Sequence, residues 1–185
     1  MRGLQLLRKL IPMVLMGTLL ASCSQRGEWY TASRESAGIA PHPSDTHEAV
    51  IQVYGADAWG WRGWFAIHTW ISAKRANEDF YTIYDVVGYR GYYADSVLAI
   101  RRDVPDRYWY GAKPRLLKSH RGADAEALIE AVDAAARAYP WKHRYEAFPG
   151  PNSNTFTAWV ALQVPELELN LPWSAIGSGY ARRVE

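Results

Sequence analysis

The sequence predicts an α+β domain in which helices pack against an antiparallel sheet. Segments with the aromatic and β-branched residues that favour strands occupy the middle of the chain, and two helical patterns follow towards its end. This order, strands first and helices later, is typical of α+β folds rather than of alternating α/β folds. The strand candidates are 49–54, 64–71 and 80–87, with shorter ones at 97–101 and 107–110.

Polar residues 72–79 separate the second and third strand candidates and favour a hairpin, so these two strands are predicted to pair antiparallel. The first helix is predicted over 123–139, which is rich in alanine. The second helix is predicted to begin within 152–155 and to end near Gln163, because Pro165 disfavours its continuation. The apolar stripe of the first helix consists of Leu128, Ile129, Val132 and Ala136.

The chain starts with the pattern of an export signal, in which basic residues precede an apolar stretch over 10–20. That stretch is too short to span a bilayer, which takes roughly 20 residues. Residues 20–23, Leu-Ala-Ser-Cys, resemble the bacterial lipobox, in which the cysteine sulfur carries the lipid. We therefore expect a signal peptide at 1–22 and lipid attachment at Cys23. An ordinary secretory signal with an accidental cysteine is the alternative.

The mature chain that this cleavage would leave is nearly neutral. The sequence has 21 Lys+Arg and 19 Asp+Glu, and the leader contains Arg2, Arg8 and Lys9 but no acidic residue, so 18 basic and 19 acidic residues remain. A chain of this charge has no electrostatic footprint for nucleic acid. Its single cysteine is assigned to the lipid, and no two histidines have the HxH or HxxxH spacing of a zinc site. We expect neither a metal nor a cofactor.

The domain organisation follows from composition. Residues 23–46 are polar and interrupted by glycine and proline, which favours a flexible tether between the lipid and a single globular domain at 47–185. Ser24 follows the cysteine, at the position where aspartate is the familiar signal for retention in the inner membrane. We therefore expect a protein of the cell envelope, anchored in the outer membrane and facing the periplasm if the organism has two membranes.

Two places in the chain contain residues suited to chemistry. His68 lies within an aromatic strand candidate, and a turn fixed by proline and glycine at 149–151 leads to the predicted helix start at Asn152 and Ser153. Unpaired backbone N–H groups and the positive end of the helix dipole at such a start stabilise an oxyanion or a nucleophile. Both places also have structural explanations, because Asn and Ser are good helix caps and a strand histidine often forms a hydrogen bond in the core.

The order of these features resembles that of the bacterial lipoprotein family catalogued as domain of unknown function 3750. The resemblance covers nearly the whole chain after the tether, and the block at 149–156 is its most specific part. It implies no established biochemical activity. The other matching segments are His68-Thr69-Trp70-Ile71, Tyr84-Asp85-Val86-Val87-Gly88, Ala125-Glu126-Ala127-Leu128-Ile129, Val164-Pro165-Glu166-Leu167, Leu171-Pro172 and Ala175-Ile176-Gly177.

A more distant resemblance links the chain to circularly permuted papain-like folds, such as the PPPDE peptidases and relatives of the NlpC cell-wall peptidases. In those families a strand histidine precedes a helix start, similar to Asn-Cys-Asn-x-Phe, that supplies the nucleophile. The resemblance places His68 at the histidine position and Ser153 at the cysteine position, with Asn152 and Phe156 as matching flanks. It implies a permuted papain-like architecture with serine in place of the catalytic cysteine.

A serine nucleophile needs a general base, because its hydroxyl is not ionised in advance as a thiol can be. His68 is expected to be that base, oriented by a third group. Asp85 is the candidate for this group because its strand is predicted to neighbour that of His68, and Thr82 or Tyr84 would replace it in another register. A working nucleophile, a binding pocket without catalysis and a helix cap alone are three open interpretations of Ser153.

Tryptophans cluster before and within the second strand candidate, and they either fill the core or line a groove for a sugar or peptide. The glycines on either side of Trp61-Arg62 favour an exposed loop, and exposed loop tryptophans are typical of binding or of membrane contact. We expect Asn152, Asn154 and Trp70 to contact a ligand. Peptidoglycan-type peptides and acyl or amide groups are the candidate ligands.

Together these observations predict a lipid-anchored envelope protein with a hydrolase-like or ligand-binding pocket between His68 and Ser153. The alternative is a non-catalytic structural or assembly lipoprotein that holds an envelope partner through its aromatic surface.

Overall fold

A computed structural model describes residues 28–183 of the chain. The expected signal peptide, the lipid attachment site at Cys23 and the start of the tether lie outside the described residues. Residues from Arg34 onward form one unit, separate from a unit that ends at Ser33. The strands and the helices lie in the unit that begins at Arg34.

Five strands form a single antiparallel sheet with the order β4-β3-β2-β1-β5. The predicted pairing of the second and third strands is confirmed, with Ser72 opposite Ile83. The prediction of a strand at 107–110 is wrong, since this segment forms only isolated bridges, Ser36 with Arg107 and Trp109 with Ala112. The strands are β1 (Val50–Asp57), β2 (Ile67–Lys74), β3 (Thr82–Val86), β4 (Leu98–Arg102) and β5 (Arg115–Arg121).

Two α-helices follow the sheet, as predicted, so the α+β class is correct. Helix α1 spans Ala123–Arg137 and helix α2 spans Ser153–Gln163. Neither helix in the described range is long and apolar enough to cross a membrane. Short 3₁₀ segments occupy Pro43–Asp45, Gly60–Trp64, Gly88–Tyr92, Pro165–Leu167 and Ser178–Arg182.

Strands β1, β2 and β3 are buried on both faces of the sheet. Successive side chains along each strand lie on opposite faces. On one face, Ile71 of β2 joins a core with Val132 of α1 and Phe156 of α2. On the other face, Trp70 of β2 and Ile83 of β3 belong to a second, smaller core. The period of two therefore places Thr69 on the helix-covered face and His68 on the opposite face.

Residues 35–41, which the sequence assigns to the tether, are hydrogen-bonded to the segment that follows β4. The carboxylate of Asp106, which is 1% exposed, accepts from the Ser36 hydroxyl and from the backbone N–H groups of Ile39 and Ala40. A buried carboxylate needs such donors to offset its lost hydration. The structure therefore differs from the expected tether here, since this stretch is held against the domain.

Helix α2 begins with a capping box at Asn152. Its side-chain oxygen accepts from the backbone N–H groups of Asn154 and Thr155, and the Thr155 hydroxyl accepts from the Asn152 N–H. The cap is joined to the sheet because the Asn154 amide donates to the Ile67 carbonyl at 2.9 Å. It is also joined to the tail, where the Asn152 and Asn154 amides both donate to the Ile176 carbonyl. The helix start therefore connects three separate parts of the chain.

Gly177 supplies the close approach that this cap requires. Its φ is +93°, and a Cβ atom there would overlap the Asn152 amide. We expect Gly177→Ala to lower the free energy of unfolding by about 2 to 4 kcal/mol. Alanine is strained in the left-handed conformation, and its Cβ would overpack against Asn152. Urea denaturation measures this change.

Gly179→Ala is the matched control, because a Cβ at Gly179 meets no atom within 4 Å. It is expected to change the free energy of unfolding by less than about 1 kcal/mol. Equal urea midpoints for the two variants would show that the approach of Gly177 to Asn152 does not constrain the fold.

Candidate functional site

His68, Asp85 and Arg107 form a buried chain of charge-assisted hydrogen bonds. His68 Nε2 lies 2.9 Å from Asp85 Oδ1, and the Arg107 guanidinium donates to Asp85 Oδ2 at 2.7 Å. Asp85 is completely buried, and His68 and Arg107 are 5% and 6% exposed. The antiparallel pairing of β2 with β3 brings His68 and Asp85 together, whereas Arg107 comes from the segment after β4. Arg107 also donates to Asp103.

The charge of Asp85 determines which ring nitrogen of neutral His68 carries the proton. Burial alone would raise the pKa of Asp85, but the His68 ring and the Arg107 guanidinium outweigh it and hold that pKa below the ordinary carboxyl value. The ionised carboxylate only accepts hydrogen bonds, so His68 Nε2 carries the proton that lies between them. In neutral His68, Nδ1 is therefore the unprotonated nitrogen, with the lone pair that a general base needs.

Trp109 fixes the plane of the His68 ring. The two rings are stacked with centroids 3.5 Å apart and planes at 5° to each other. Trp70, expected from the sequence to contact a ligand, is instead fully buried in the second core, where it stacks on Tyr54 and donates from Nε1 to the Pro105 carbonyl. The ring of Trp70 also lies near His68, with the ring centroids 6.0 Å apart. Nε2 bonds to Asp85, and no hydrogen bond within residues 28–183 involves Nδ1, so this nitrogen is left for a ligand or for proton transfer.

His68 and Ser153 line the same cleft, which has a volume of about 450 Å³. It lies at the end of the sheet where β2 begins. His68 reaches it from one face of the sheet, and Ser153 from the start of α2, which packs on the other face. Aromatic residues supply much of the remaining wall, among them Trp59, Trp61, Phe65, Trp109 and Phe148.

The hydroxyl of Ser153 is not used by the helix cap. In the part of the chain that the structure describes, the Ser153 carbonyl accepts from the Thr157 hydroxyl at 3.2 Å, and no hydrogen bond involves the Ser153 hydroxyl. Ser153 is 3% exposed. A hydroxyl that lines a cleft and has no hydrogen-bond partner among the described residues is available for a ligand or for proton transfer.

The backbone N–H groups of the helix start are largely occupied. Those of Asn154 and Thr155 donate to Asn152 Oδ1 at 3.0 and 3.1 Å. The Asn152 amide donates to the carbonyls of Ala147 and Ile176, and the Asn154 amide to those of Ile67 and Ile176. Both asparagines line the cleft, but their amide groups hold the backbone together. Within residues 28–183, the backbone N–H of Ser153 is therefore the N–H group of the first helical turn that makes no hydrogen bond.

Sequence reasoning did not identify Arg107 or Trp109 as site residues. Both lie in the segment predicted to be a short strand at 107–110, and that prediction gave neither residue a role in the site. Arg107 contacts Asp85, which lies 22 positions earlier in the chain, and Trp109 contacts His68, which lies farther away still. Contacts between such distant positions produce no local pattern in the sequence. Among residues 28–183, no group of three or more His, Cys, Asp and Glu side chains is arranged to hold a metal ion.

Replacing Asp85 by asparagine removes the carboxylate that both His68 and Arg107 contact. We expect Asp85→Asn to lower the free energy of unfolding by about 3 kcal/mol at pH 7, because the buried Arg107 charge loses a partner. The folded-state pKa of Asp85 is depressed, so its contribution is fully present above the ordinary carboxyl pKa of about 3.9 and is lost as the pH falls through the folded value. Urea denaturation from pH 7 to pH 3 measures this difference.

Asp57→Asn is the matched control, because the Asp57 carboxylate pairs with Arg115 and both side chains are well exposed. Exposed pairs contribute about 1 kcal/mol or less. A loss of stability from Asp85→Asn no larger than that of Asp57→Asn would contradict a structural role for the buried carboxylate.

Comparison with known proteins gives one match. No curated protein and no solved structure matches the chain. A family model described as "Protein of unknown function (DUF3750)" matches residues 48–180, which include every strand, both helices and the cleft residues named above. Because this match covers well over half of the 185 residues, the chain belongs to the DUF3750 family.

Proposed function

We propose that this protein is a lipid-anchored cell-envelope protein whose cleft performs acyl transfer or hydrolysis with Ser153 as the nucleophile. The observation that supports this most is the convergence of a buried His68–Asp85 pair and an unbonded Ser153 hydroxyl on one cleft. The proposal includes a permuted papain-like architecture, which agrees with the order of a strand histidine followed by a serine at a helix start.

In the proposed reaction, His68 Nδ1 accepts the hydroxyl proton while Ser153 Oγ attacks a carbonyl carbon of the ligand. Asp85 orients the ring and stabilises the imidazolium that forms. The N–H of Ser153 donates to the resulting oxyanion. The protonated His68 then returns the proton to the leaving group, and a water molecule releases the acyl group from Ser153 by the same steps.

Binding without catalysis is the second candidate, and the occupied N–H groups of the helix start favour it. Each oxyanion donor is typically worth about 3 kcal/mol of transition-state stabilisation, and Asn152 uses two of those available here. In this version the cleft holds a peptidoglycan-type peptide or an acyl or amide group, with the Ser153 hydroxyl as a hydrogen-bonding group and the aromatic walls as the apolar surface.

A non-catalytic assembly role is favoured by a different observation, the exposed aromatic side chains beside the cleft. Trp61, Trp64 and Phe148 are 65%, 75% and 78% exposed. Large apolar side chains that remain in contact with water often mark protein interfaces. An envelope partner covering these three residues would make the protein a structural lipoprotein.

A fluorophosphonate probe, which reacts covalently with activated serine hydroxyls, tests the proposed nucleophile. We expect mass spectrometry to find the probe on Ser153 and to find none there in Ser153→Ala. His68→Gln is expected to slow labelling by about 10² to 10⁴-fold, the usual contribution of a general base. Ser178→Ala is the control, since Ser178 also begins a helical segment but lies outside the cleft, and it should label like the wild type.

The outcomes separate the three candidates. If Ser153 is not labelled, the proposed acyl transfer is contradicted. The assembly role would then be supported if Trp61→Ala and Phe148→Ala each abolish co-purification of an envelope partner. Absence of labelling with a peptidoglycan fragment still bound in the cleft would leave binding alone. Equal labelling of the wild type and His68→Gln would show that His68 is not the base.

The lipid anchor is part of the proposal and has its own test. Cys23 lies at the end of the lipobox-like segment, so Cys23→Ala is expected to abolish incorporation of radiolabelled palmitate and to leave an uncleaved precursor. Ser24→Ala serves as the control and should label normally. Membrane fractionation is expected to place the wild type with outer-membrane markers, and recovery with inner-membrane markers would contradict that assignment alone.

A further inference from the structure

A second cavity, of about 290 Å³, shares Trp109 with the cleft. Its wall contains four arginines and one acidic residue, Asp103, together with several tyrosines. The four arginines are Arg34, Arg90, Arg101 and Arg107.

Carboxylates neutralise only two of these arginines. Asp103 accepts from Arg101 and Arg107, and Arg107 also bonds to the buried Asp85. No carboxylate within 4 Å of Arg34 or Arg90 is found in the part of the chain that the structure covers. The carboxylates of Asp103, in the wall, and of Asp85, behind it, are therefore the two negative charges that pair with the four guanidinium groups. Two positive charges remain without a carboxylate.

Aromatic rings and a carbonyl hold the two remaining guanidinium groups in place. Arg34 lies over the ring of Tyr110, with 4.4 Å from Cζ to the ring centroid. Arg90 lies 5.9 Å from the ring centroid of Tyr93 and donates from Nε to the Ser96 carbonyl at 3.2 Å. Contacts of this kind orient a guanidinium without cancelling its charge.

We infer that this cavity is a binding site for a phosphate group, with Arg34 and Arg90 as its principal ligands. Guanidinium groups bind phosphate oxygens through paired, charge-assisted hydrogen bonds, and partial enclosure strengthens the attraction relative to open solvent. The wall also contains Tyr89, Tyr93, Tyr108 and Tyr110, whose hydroxyl groups are of a kind that can donate to phosphate oxygens, although those of Tyr89 and Tyr110 are hydrogen-bonded to each other. The inference does not depend on the chemistry of Ser153.

Isothermal titration of the full chain in detergent tests this site with inorganic phosphate at constant ionic strength. We expect saturable binding by the wild type and at least a tenfold loss of affinity in Arg34→Gln/Arg90→Gln. The control is Arg115→Gln/Arg182→Gln, which removes the same charge from exposed positions outside the cavity and should bind like the wild type. Circular dichroism checks that both double variants retain the fold.

A second titration, with short-chain phosphatidylglycerol, identifies the source of the phosphate. Binding of this lipid that depends on Arg34 and Arg90 would indicate a lipid headgroup, whereas binding of inorganic phosphate alone would indicate a free phosphate. Absence of saturable binding of either probe to the wild type would overturn the inference, as would equal loss of affinity in both double variants.

Discussion

The buried carboxylate of Asp85 is the constraint on which the rest of the site depends. A fully buried carboxylate is stable only when charged or polar donors compensate for its lost hydration. His68 and Arg107 each take one of its oxygens, so the hairpin of β2 and β3 and the segment after β4 must meet at this point. Trp109 follows two positions after Arg107 and lies flat against His68. The same carboxylate therefore determines the position, plane and tautomer of the histidine.

The start of α2 is a second junction, formed by amides rather than charges. Asn152 and Asn154 connect the helix to β2, to the preceding turn and to the tail, and every hydrogen bond that their side-chain NH₂ groups donate goes to a backbone carbonyl. Gly177 must lack a side chain for this network to close. The asparagines that resemble ligand-binding residues in the sequence thus have a structural task. Ser153, between them, keeps its hydroxyl unbonded because its neighbours supply the cap.

Local patterns in the sequence predicted much of this fold. The cap residues and the proline after α2 predicted both ends of that helix, and the aromatic and β-branched content predicted β2 and β3. Their antiparallel pairing was enough to suggest Asp85 as the partner of His68. Strand β5, Arg115–Arg121, was not predicted, because it is a mostly polar edge strand and its composition does not favour a strand. Its hydrogen bonds to β1 hold it in the extended conformation. Arg107, Trp109 and the contacts of Asp106 with residues 36–40 connect distant positions, which periodicity does not reveal.

The two sides of the cleft differ in how well they suit catalysis. On the sheet side, Asp85 and Trp109 hold His68 in one orientation, which suits a general base because little reorganisation is needed when it accepts a proton. On the helix side, the cap consumes the N–H groups that would stabilise an oxyanion, and the N–H of Ser153 remains. An exposed cation, Arg62, also lines the cleft. The Ser153 N–H and the Arg62 guanidinium can both donate to a negatively charged group in the cleft without any change in the cap. In the proposed acyl transfer, these two donors would stabilise a ligand whose carbonyl oxygen becomes negatively charged as Ser153 attacks.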